Sequence, residues 1–278
     1  MPSLRDRSAG ASRRQRYVPE VLLHSALLRW WAMQLGQFFS QAWEIGPPEV
    51  LVRRIDIAEI APGSNVDIGP AFGAALTSGE YETWQSLTSS ASRQHEWLLG
   101  RLALKDVVRA WAGERGQQLE PSDIEIHIDD EGALFARCAA LSGVGGSPVI
   151  SLSHNSGVVV AAAADPGSLI GIDIEYADRR IDVVARALSA PEQAFVYAEA
   201  ASVLDLLVAK EAATKALGVG LGGGVSRWPV VSVTPVPQGL VVEVTSATDL
   251  GLVLPVLVLH PLDTVLGICY IAPEIDAA

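Results

Sequence analysis

The stretch Ile170-Gly171-Ile172-Asp173-Ile174-Glu175 alternates apolar residues with small or acidic ones. Successive side chains of a β-strand point to opposite faces, so this alternation predicts a strand that carries Asp173 and Glu175 side by side. Two neighbouring carboxylates at the end of a strand are suited to share one cation. Alone, such a pair is more often a solvated strand edge.

A second acidic and basic pair follows on a predicted helix. The apolar stretch 202–217 contains Lys210-Glu211-Ala212-Ala213-Thr214-Lys215. Side chains four residues apart share one face of a helix, so Glu211 and Lys215 are expected to project together. The chain has only three lysines, and two of them flank Glu211. A simple surface ion pair is the alternative for Glu211 and Lys215.

The order strand, capped helix, longer helix occurs twice along the chain. The first copy comprises residues 52–57, 76–80 and 97–105, and the second comprises 170–175, 188–192 and 207–215. Equivalent positions lie 110 to 117 residues apart, which pairs Asp56 with Asp173, Glu80 with Glu192, and Arg101 with Glu211. In each copy a Ser or Thr stands three residues before the glutamate, the capping-box pattern of a helix start. This repetition predicts two related halves.

Segments rich in β-branched residues follow each long helix. They are residues 124–128, 149–153, 158–163, 230–233, 239–244, 252–259 and 265–271. The pattern predicts an α+β fold, a pseudodimer of two similar halves, each a small, largely antiparallel sheet packed on a long helix. We expect an N-terminal half at 49–147 and a C-terminal half with the acidic pair at 148–278. A ligand is expected in the cleft between them.

Residues 1–48 fall outside the repeat. The first 16 residues carry five arginines among Ser, Ala and Gly, which predicts a flexible basic arm. An aromatic-rich helix is expected from Pro19 to about Trp43, packed on a core or, less often for such a pattern, docked on a partner. Polar residues interrupt the apolar stretch 21–39, so no membrane span is expected.

Composition excludes several classes of protein. A net charge of -12 argues against broad nucleic-acid binding, because affinity for phosphate backbones comes from clustered basic residues. Cys138 and Cys269 lie far apart without metal-ligand spacing. Nothing therefore indicates a disulfide framework, and a reducing cytoplasm is the expected compartment.

The acidic residues have the chemistry of a magnesium site. Mg²⁺ prefers oxygen ligands and usually combines a few carboxylates with water and substrate phosphates. Asp173, Glu175 and Glu211 can supply those carboxylates. Because the strand and the helix each give only a common local pattern, the prediction depends on their combination.

Phosphate-binding groups are predicted nearby. Ser151-Leu152-Ser153-His154-Asn155-Ser156-Gly157 ends a strand with hydroxyls, an imidazole and a glycine turn, all suited to a phosphate. A hydrogen-bonded turn residue is the ordinary alternative for His154. Arg101 and Lys105, four residues apart, either direct positive charge into the cleft or form an exposed basic face. The glycines at 218–224 follow a helix end and indicate a cap rather than a phosphate loop.

These motifs resemble those of the surfactin-type (Sfp-like) 4′-phosphopantetheinyl transferases, which prime acyl and peptidyl carrier proteins. The matching elements are Ser153-His154, residues 171–175 and residues 210–218, and the likeness in order and spacing covers about residues 50 to 270. The resemblance implies the 4′-phosphopantetheinyl transferase fold. It also implies a cytoplasmic enzyme that moves phosphopantetheine from coenzyme A to an apo carrier protein of polyketide, fatty-acid or non-ribosomal peptide synthesis.

The resemblance also implies roles for the residues. Asp173, Glu175 and Glu211 would hold Mg²⁺, Glu211 would act as base, and Lys215 would stabilise the leaving phosphate. The coenzyme A groups would be held by Ser153, His154, Lys210, Arg101 and Lys105. Arg179, Arg180 and Arg186, directly after the acidic strand, are predicted to form part of the carrier-binding patch, since two acidic proteins need a local basic surface.

Two departures from the family pattern open alternatives. Leu207 stands where such enzymes commonly carry tryptophan, and Gly132-Ala133-Leu134 stands where they commonly carry a Gly-Lys/Arg-Pro turn. The missing basic residue favours a non-catalytic carrier-binding or scaffold module of the same fold as the first alternative. A Mg²⁺-dependent hydrolase of another pyrophosphate is the second. Residues 1–48 are a candidate junction to a larger polyketide synthase.

Overall fold

A computed structural model describes residues 45–56, 72–88, 90–222, 224–245 and 251–273. The basic arm expected at 1–16 and the aromatic-rich helix expected from Pro19 to about Trp43 lie outside these ranges. No helix in the described ranges has the length and apolar character needed to cross a membrane.

Among its described residues, the first half contains one five-stranded antiparallel sheet and two α-helices. Its helices are α1 (Ser78–Ser86) and α2 (Ala91–Glu114), and its strands are β1 (Leu51–Asp56), β2 (Glu125–Ile128), β3 (Leu134–Arg137), β4 (Val149–Asn155) and β5 (Val158–Ala164). The strand order is β1-β5-β4-β3-β2. The first strand thus pairs with the last, and α2 packs against β1, β4 and β5.

The second half repeats this arrangement. Its strands are β6 (Leu169–Tyr176), β7 (Val230–Val236), β8 (Gly239–Thr245), β9 (Val253–Leu259) and β10 (Thr264–Ile271), and its helices are α3 (Asp182–Ala187), α4 (Ala190–Tyr197) and α5 (Val203–Ala216). The strand order β6-β10-β9-β8-β7 has the same topology as the first sheet. The predicted α+β fold of two similar halves is therefore confirmed.

The sheets differ from the expected division in two places. Strands β4 and β5 hydrogen-bond within the first sheet, so the halves separate between Ala164 and Leu169 rather than at residue 147. Strand β3 was not predicted. It has no β-branched residue, whereas β2, of the same length, contains two isoleucines.

Both predicted capping boxes are present, and each leads to a buried ion pair. The carboxylate of Glu80 accepts from the backbone N–H of Thr77 and of Ile126, and lies 2.5 Å from Lys105 Nζ. In the second half Glu192 accepts from the N–H groups of Ser189 and Val230 and lies 2.5 Å from Lys210 Nζ. These contacts make Lys105 the equivalent of Lys210.

That equivalence corrects the sequence alignment of the two copies. The expected pairing of Arg101 with Glu211 assumed constant spacing, but α2 has 24 residues and α5 has 14. If Lys105 is aligned with Lys210 in the sequence, Asp106 of the first half becomes the equivalent of Glu211.

The two halves meet through an apolar core and a pair of serine hydroxyls. The shared core contains residues of both halves: Val50, Val52, Val158, Val160, Ile170, Ile172, Leu266 and Ile268. At its edge, the hydroxyls of Ser151 and Ser153 on β4 accept from the backbone N–H groups of Ile172 and Ile174 on β6. These bonds hold β6 beside β4. They therefore also position the acidic residues of β6.

Candidate active site

Asp173 is a buried carboxylate that is only half satisfied. Its Oδ1 accepts from Ser153 Oγ at 2.8 Å and from Lys215 Nζ at 2.7 Å. Its Oδ2 is buried and has no hydrogen-bond partner among the described residues. An unpaired buried carboxylate oxygen carries a large desolvation cost, so this atom is suited to bind a cation.

Helix α5 brings Glu211 and Lys215 to Asp173 because it lies directly against β6. The approach depends on Gly171, where a Cβ would lie 1.9 Å from the backbone oxygen of Ala212. The predicted proximity of the strand and helix motifs is thus present, and Lys215 contacts Asp173 itself.

Glu211 has a raised pKa. Burial is the main cause, and the charge of Asp173 adds to it, while Lys215 and Arg179 oppose the shift. A bound divalent cation would favour the ionised form of both carboxylates. Asp173 and Glu211 therefore fit a magnesium ion in both donor type and unbalanced charge.

Glu175 already has partners within the protein. Its Oε1 pairs with Arg179, and its Oε2 accepts from the side-chain amide of Asn155. With the side chains so arranged, no three Asp, Glu, His or Cys residues in the described ranges form a metal-binding group. The expected ligand set of Asp173, Glu175 and Glu211 thus remains a prediction.

The first half contains a contrasting version of the same contact. There Arg53 on β1 donates from Nε to Asp106 Oδ2 at 3.1 Å. Strand β1 is the equivalent of β6, and Asp106 follows Lys105 as Glu211 follows Lys210. A guanidinium thus balances the helix carboxylate in the first half, whereas a second carboxylate, Asp173, faces it in the second.

A cleft of about 720 Å³ opens beside these carboxylates, between the two halves. Its lining combines the acidic groups with basic and apolar side chains: Arg93, Trp97, Arg101, Leu134, Leu152, Ser153, His154, Asp173, Glu175, Glu211 and Lys215. The guanidinium of Arg101 lies 4.7 Å from the centroid of the Trp97 ring. Burial lowers the pKa of Arg101, and Glu80 partly opposes this.

The structure brings some predicted coenzyme-binding residues into the cleft and keeps others out. Arg101 and His154 line it, and His154 is exposed. Ser153 also lines it, but its hydroxyl is already used by Asp173 and by the N–H of Ile174. Lys105 and Lys210 differ from expectation, because both are fully buried and bind Glu80, Glu192 and backbone carbonyls.

Several residues at the site were not identified from the sequence. Arg93 gives no local signal beyond belonging to a helix, and Trp97 stands out only as the first copy's tryptophan at the position equivalent to Leu207. Arg179 was assigned only to a partner surface, although its place four residues after Glu175 permits contact across a turn. Asn155 belongs to the motif 151–157, but no function was predicted for its side chain. A long-range contact such as Asn155 with Glu175 depends on how β4 is positioned beside β6, which the motif alone does not reveal.

Comparison with known proteins gives a family match for the second half. Residues 169–243 match the model of the 4′-phosphopantetheinyl transferase superfamily. The matched segment contains Asp173, Glu175, Glu211 and Lys215. No curated protein sequence matches the chain.

Among solved structures, the chain is similar to the holo-[acyl-carrier-protein] synthase of Helicobacter pylori in complex with coenzyme A. The two share 18% sequence identity, and the match covers 41% of this chain and 97% of that one, with a TM-score of 0.31.

Proposed function

We propose that this protein is a 4′-phosphopantetheinyl transferase that moves phosphopantetheine from coenzyme A to a serine of an apo acyl or peptidyl carrier protein. The observation that supports this most directly is the arrangement of Asp173, Glu211 and Lys215 in the cleft, with Asp173 Oδ2 buried and unpartnered. The superfamily match of residues 169–243 supports the same reaction class.

The transfer breaks the phosphoanhydride bond of coenzyme A and forms a phosphate ester with the carrier serine. The hydroxyl oxygen of the carrier serine attacks the β-phosphorus of coenzyme A and forms the new bond. The bond from that phosphorus to the bridging oxygen breaks, and adenosine 3′,5′-bisphosphate leaves with the electron pair. The serine proton passes to Glu211, directly or through one water.

The residues have separate roles in this proposal. Burial raises the pKa of Glu211 in the metal-free protein. Glu211 is the proposed base for the carrier serine, and a bound cation would keep it ionised and able to accept a proton. Lys215 carries positive charge next to Asp173 and would stabilise the leaving phosphate. Mg²⁺ held by Asp173, Glu175 and Glu211 would neutralise charge on the pyrophosphate. Ser153 holds Asp173 in place, and Arg101 and His154 are the proposed contacts for the remaining phosphate.

A non-catalytic module that binds carrier proteins is the second candidate. It is favoured by the engagement of Glu175 with Arg179 and Asn155, and by Gly132 and Leu134 lining the cleft at a turn that offers no basic side chain. Transfer is the better-supported function, because a buried, unpaired carboxylate oxygen is costly and a non-catalytic scaffold would gain nothing from it.

The deciding experiment measures the intact mass of several apo carrier proteins after incubation with the protein, coenzyme A and Mg²⁺. We expect a gain of one phosphopantetheine that Glu211→Gln abolishes. Glu82→Gln, the same change at an exposed position of α1, is the matched control and should leave the gain intact. Release of free phosphopantetheine without modified carrier would instead identify a hydrolase, and binding of carrier without either product would identify a scaffold.

A further inference from the structure

Arg179 occupies an unusual place for a residue near a proposed cation site. It follows β6 in a turn in which its backbone N–H donates to the carbonyl of Tyr176 at 3.0 Å. The turn directs the guanidinium back onto Oε1 of Glu175, while the side chain remains 41% exposed. Glu175 itself is buried, so the pair joins a partly exposed cation to a buried carboxylate.

The charge of Arg179 reaches beyond Glu175. It is one of two positive groups that oppose the raised pKa of Glu211, the other being Lys215. Lys215 in turn bonds Oδ1 of Asp173 and leaves Oδ2 open. In the protein alone, two side-chain cations therefore offset only part of the charge of the three carboxylates, Lys215 at Asp173 and Arg179 at Glu175.

A divalent cation and Arg179 cannot both use the same oxygen of Glu175 at full strength. The second contact of Glu175, with Asn155, involves a neutral amide on the other oxygen, and it keeps the carboxylate oriented without supplying charge. A cavity of about 480 Å³, lined by His154, Asn155, Tyr176 and Asp178, borders the pair and gives the guanidinium room to move.

We propose that Arg179 is a resident counter-ion that occupies Glu175 when no divalent cation is bound and is displaced from it when one binds. The inference rests on the metal site of the proposed function. Displacement makes cation affinity lower than the carboxylates alone would give, and it frees an exposed guanidinium beside the cleft at the moment the site is loaded.

Mn²⁺ binding tests this without any transfer reaction. Free Mn²⁺ would be followed by electron paramagnetic resonance during titration of the purified full chain, without coenzyme A or carrier. Arg179→Gln removes the competing charge and should lower the Kd for Mn²⁺ roughly threefold to fivefold, the range expected of a partly exposed ion pair. Arg179→Lys should stay near the wild-type value.

Two further variants separate competition at Glu175 from a general charge effect. Arg180→Gln removes the same charge from the neighbouring exposed residue, which has no ion pair with a described residue, and should leave the Kd nearly unchanged. In a Glu175→Gln background, Arg179→Gln should no longer tighten binding, because the contested carboxylate is gone.

An equal Kd for wild type and Arg179→Gln, or an equal gain from Arg180→Gln, would overturn the inference. Absence of Mn²⁺ binding in every variant would overturn it too, while a carrier mass gain in the transfer assay would still support the proposed function. Tighter binding in Arg179→Gln together with no transfer would support the counter-ion and count against the transferase.

Discussion

Gly171 on β6 and Ala212 on α5 are in backbone contact, so close that a Cβ at residue 171 would lie 1.9 Å from the carbonyl oxygen of Ala212 and 2.4 Å from the backbone nitrogen of Ala216. The contact sets the distance between the strand that carries Asp173 and the helix that carries Glu211 and Lys215. The geometry of the candidate site therefore depends on a residue with no side chain.

Gly171→Ala is expected to destabilise the protein by about 3 kcal/mol and to weaken Mn²⁺ binding, because a backbone atom cannot turn aside and α5 must move. Urea unfolding and Mn²⁺ titration would measure the two effects. Gly143→Ala is the matched control, since a Cβ there meets nothing within 4 Å. Equal stability of the two variants would mean that the helix adjusts without cost.

Lys105 and Lys210 are expected to act on stability rather than on coenzyme A binding. Each is fully buried and paired with a buried glutamate, so Lys210→Met leaves Glu192 uncompensated and should cost about 3 to 5 kcal/mol. The double variant Lys210→Met with Glu192→Gln removes the unpaired charge, so it should recover part of that loss. The amide at residue 192 keeps an acceptor oxygen for the backbone N–H groups of Ser189 and Val230. Urea unfolding tests this, and a raised KM for coenzyme A at unchanged stability would contradict it.

The positions of the two buried lysines could not be predicted from the sequence. The sequence displays directly the local periodicity that predicts the repeat, both capping boxes and most strands. The proximity of strand 170–175 and helix 202–217 follows from the combination of their motifs and from the family resemblance. The contacts of Lys105 and Lys210 cannot be predicted in this way. A lysine that lines a site and a lysine that pairs with a distant capping glutamate have the same local sequence pattern. The ion pair joins residues 25 or 18 positions apart on different helices.

Arg179 illustrates the same limit at the site itself. Its position directly after the acidic strand indicated a basic surface, and Arg180 and Arg186 are indeed exposed there. Its return onto Glu175 depends on the turn that follows Tyr176, in which the N–H of Ala177 also bonds the carbonyl of Asp263, a residue from the far end of the chain. The local sequence around Arg179 does not predict that contact.

The pH dependence of stability should reveal the unbalanced charge at Glu211. Its pKa is raised in the folded protein, by burial first and by Asp173 second, so its stabilising contribution is fully present below its unfolded pKa of about 4.3 and is lost as pH rises through the higher folded value. Without divalent cation, Glu211→Gln should therefore exceed the wild type in stability at pH 7.

Urea unfolding of both proteins between pH 4 and pH 8 in the presence of a chelator would measure this difference. The advantage of Glu211→Gln should disappear towards pH 4, where the wild-type carboxyl is protonated. Adding Mg²⁺ at pH 7 should stabilise the wild type and not the variant. If the stability difference between the wild type and Glu211→Gln stays constant with pH, the pKa of Glu211 is not raised by folding.

Carrier recognition is expected to depend on Arg180 and Arg186. Both are exposed on the segment after β6, whereas Arg179 is engaged with Glu175 and is less suited to report on the partner. Replacing Arg180 and Arg186 with glutamate reverses two charges and should raise the KM for an acidic carrier about tenfold at low salt, with the KM for coenzyme A unchanged. The effect should shrink as salt is added, because exposed charges are screened. Arg137 is exposed on β3 of the first sheet, so Arg137→Glu serves as the charge-reversal control for the single variant Arg180→Glu. If that control raises the carrier KM as much, net charge rather than a docking surface is responsible.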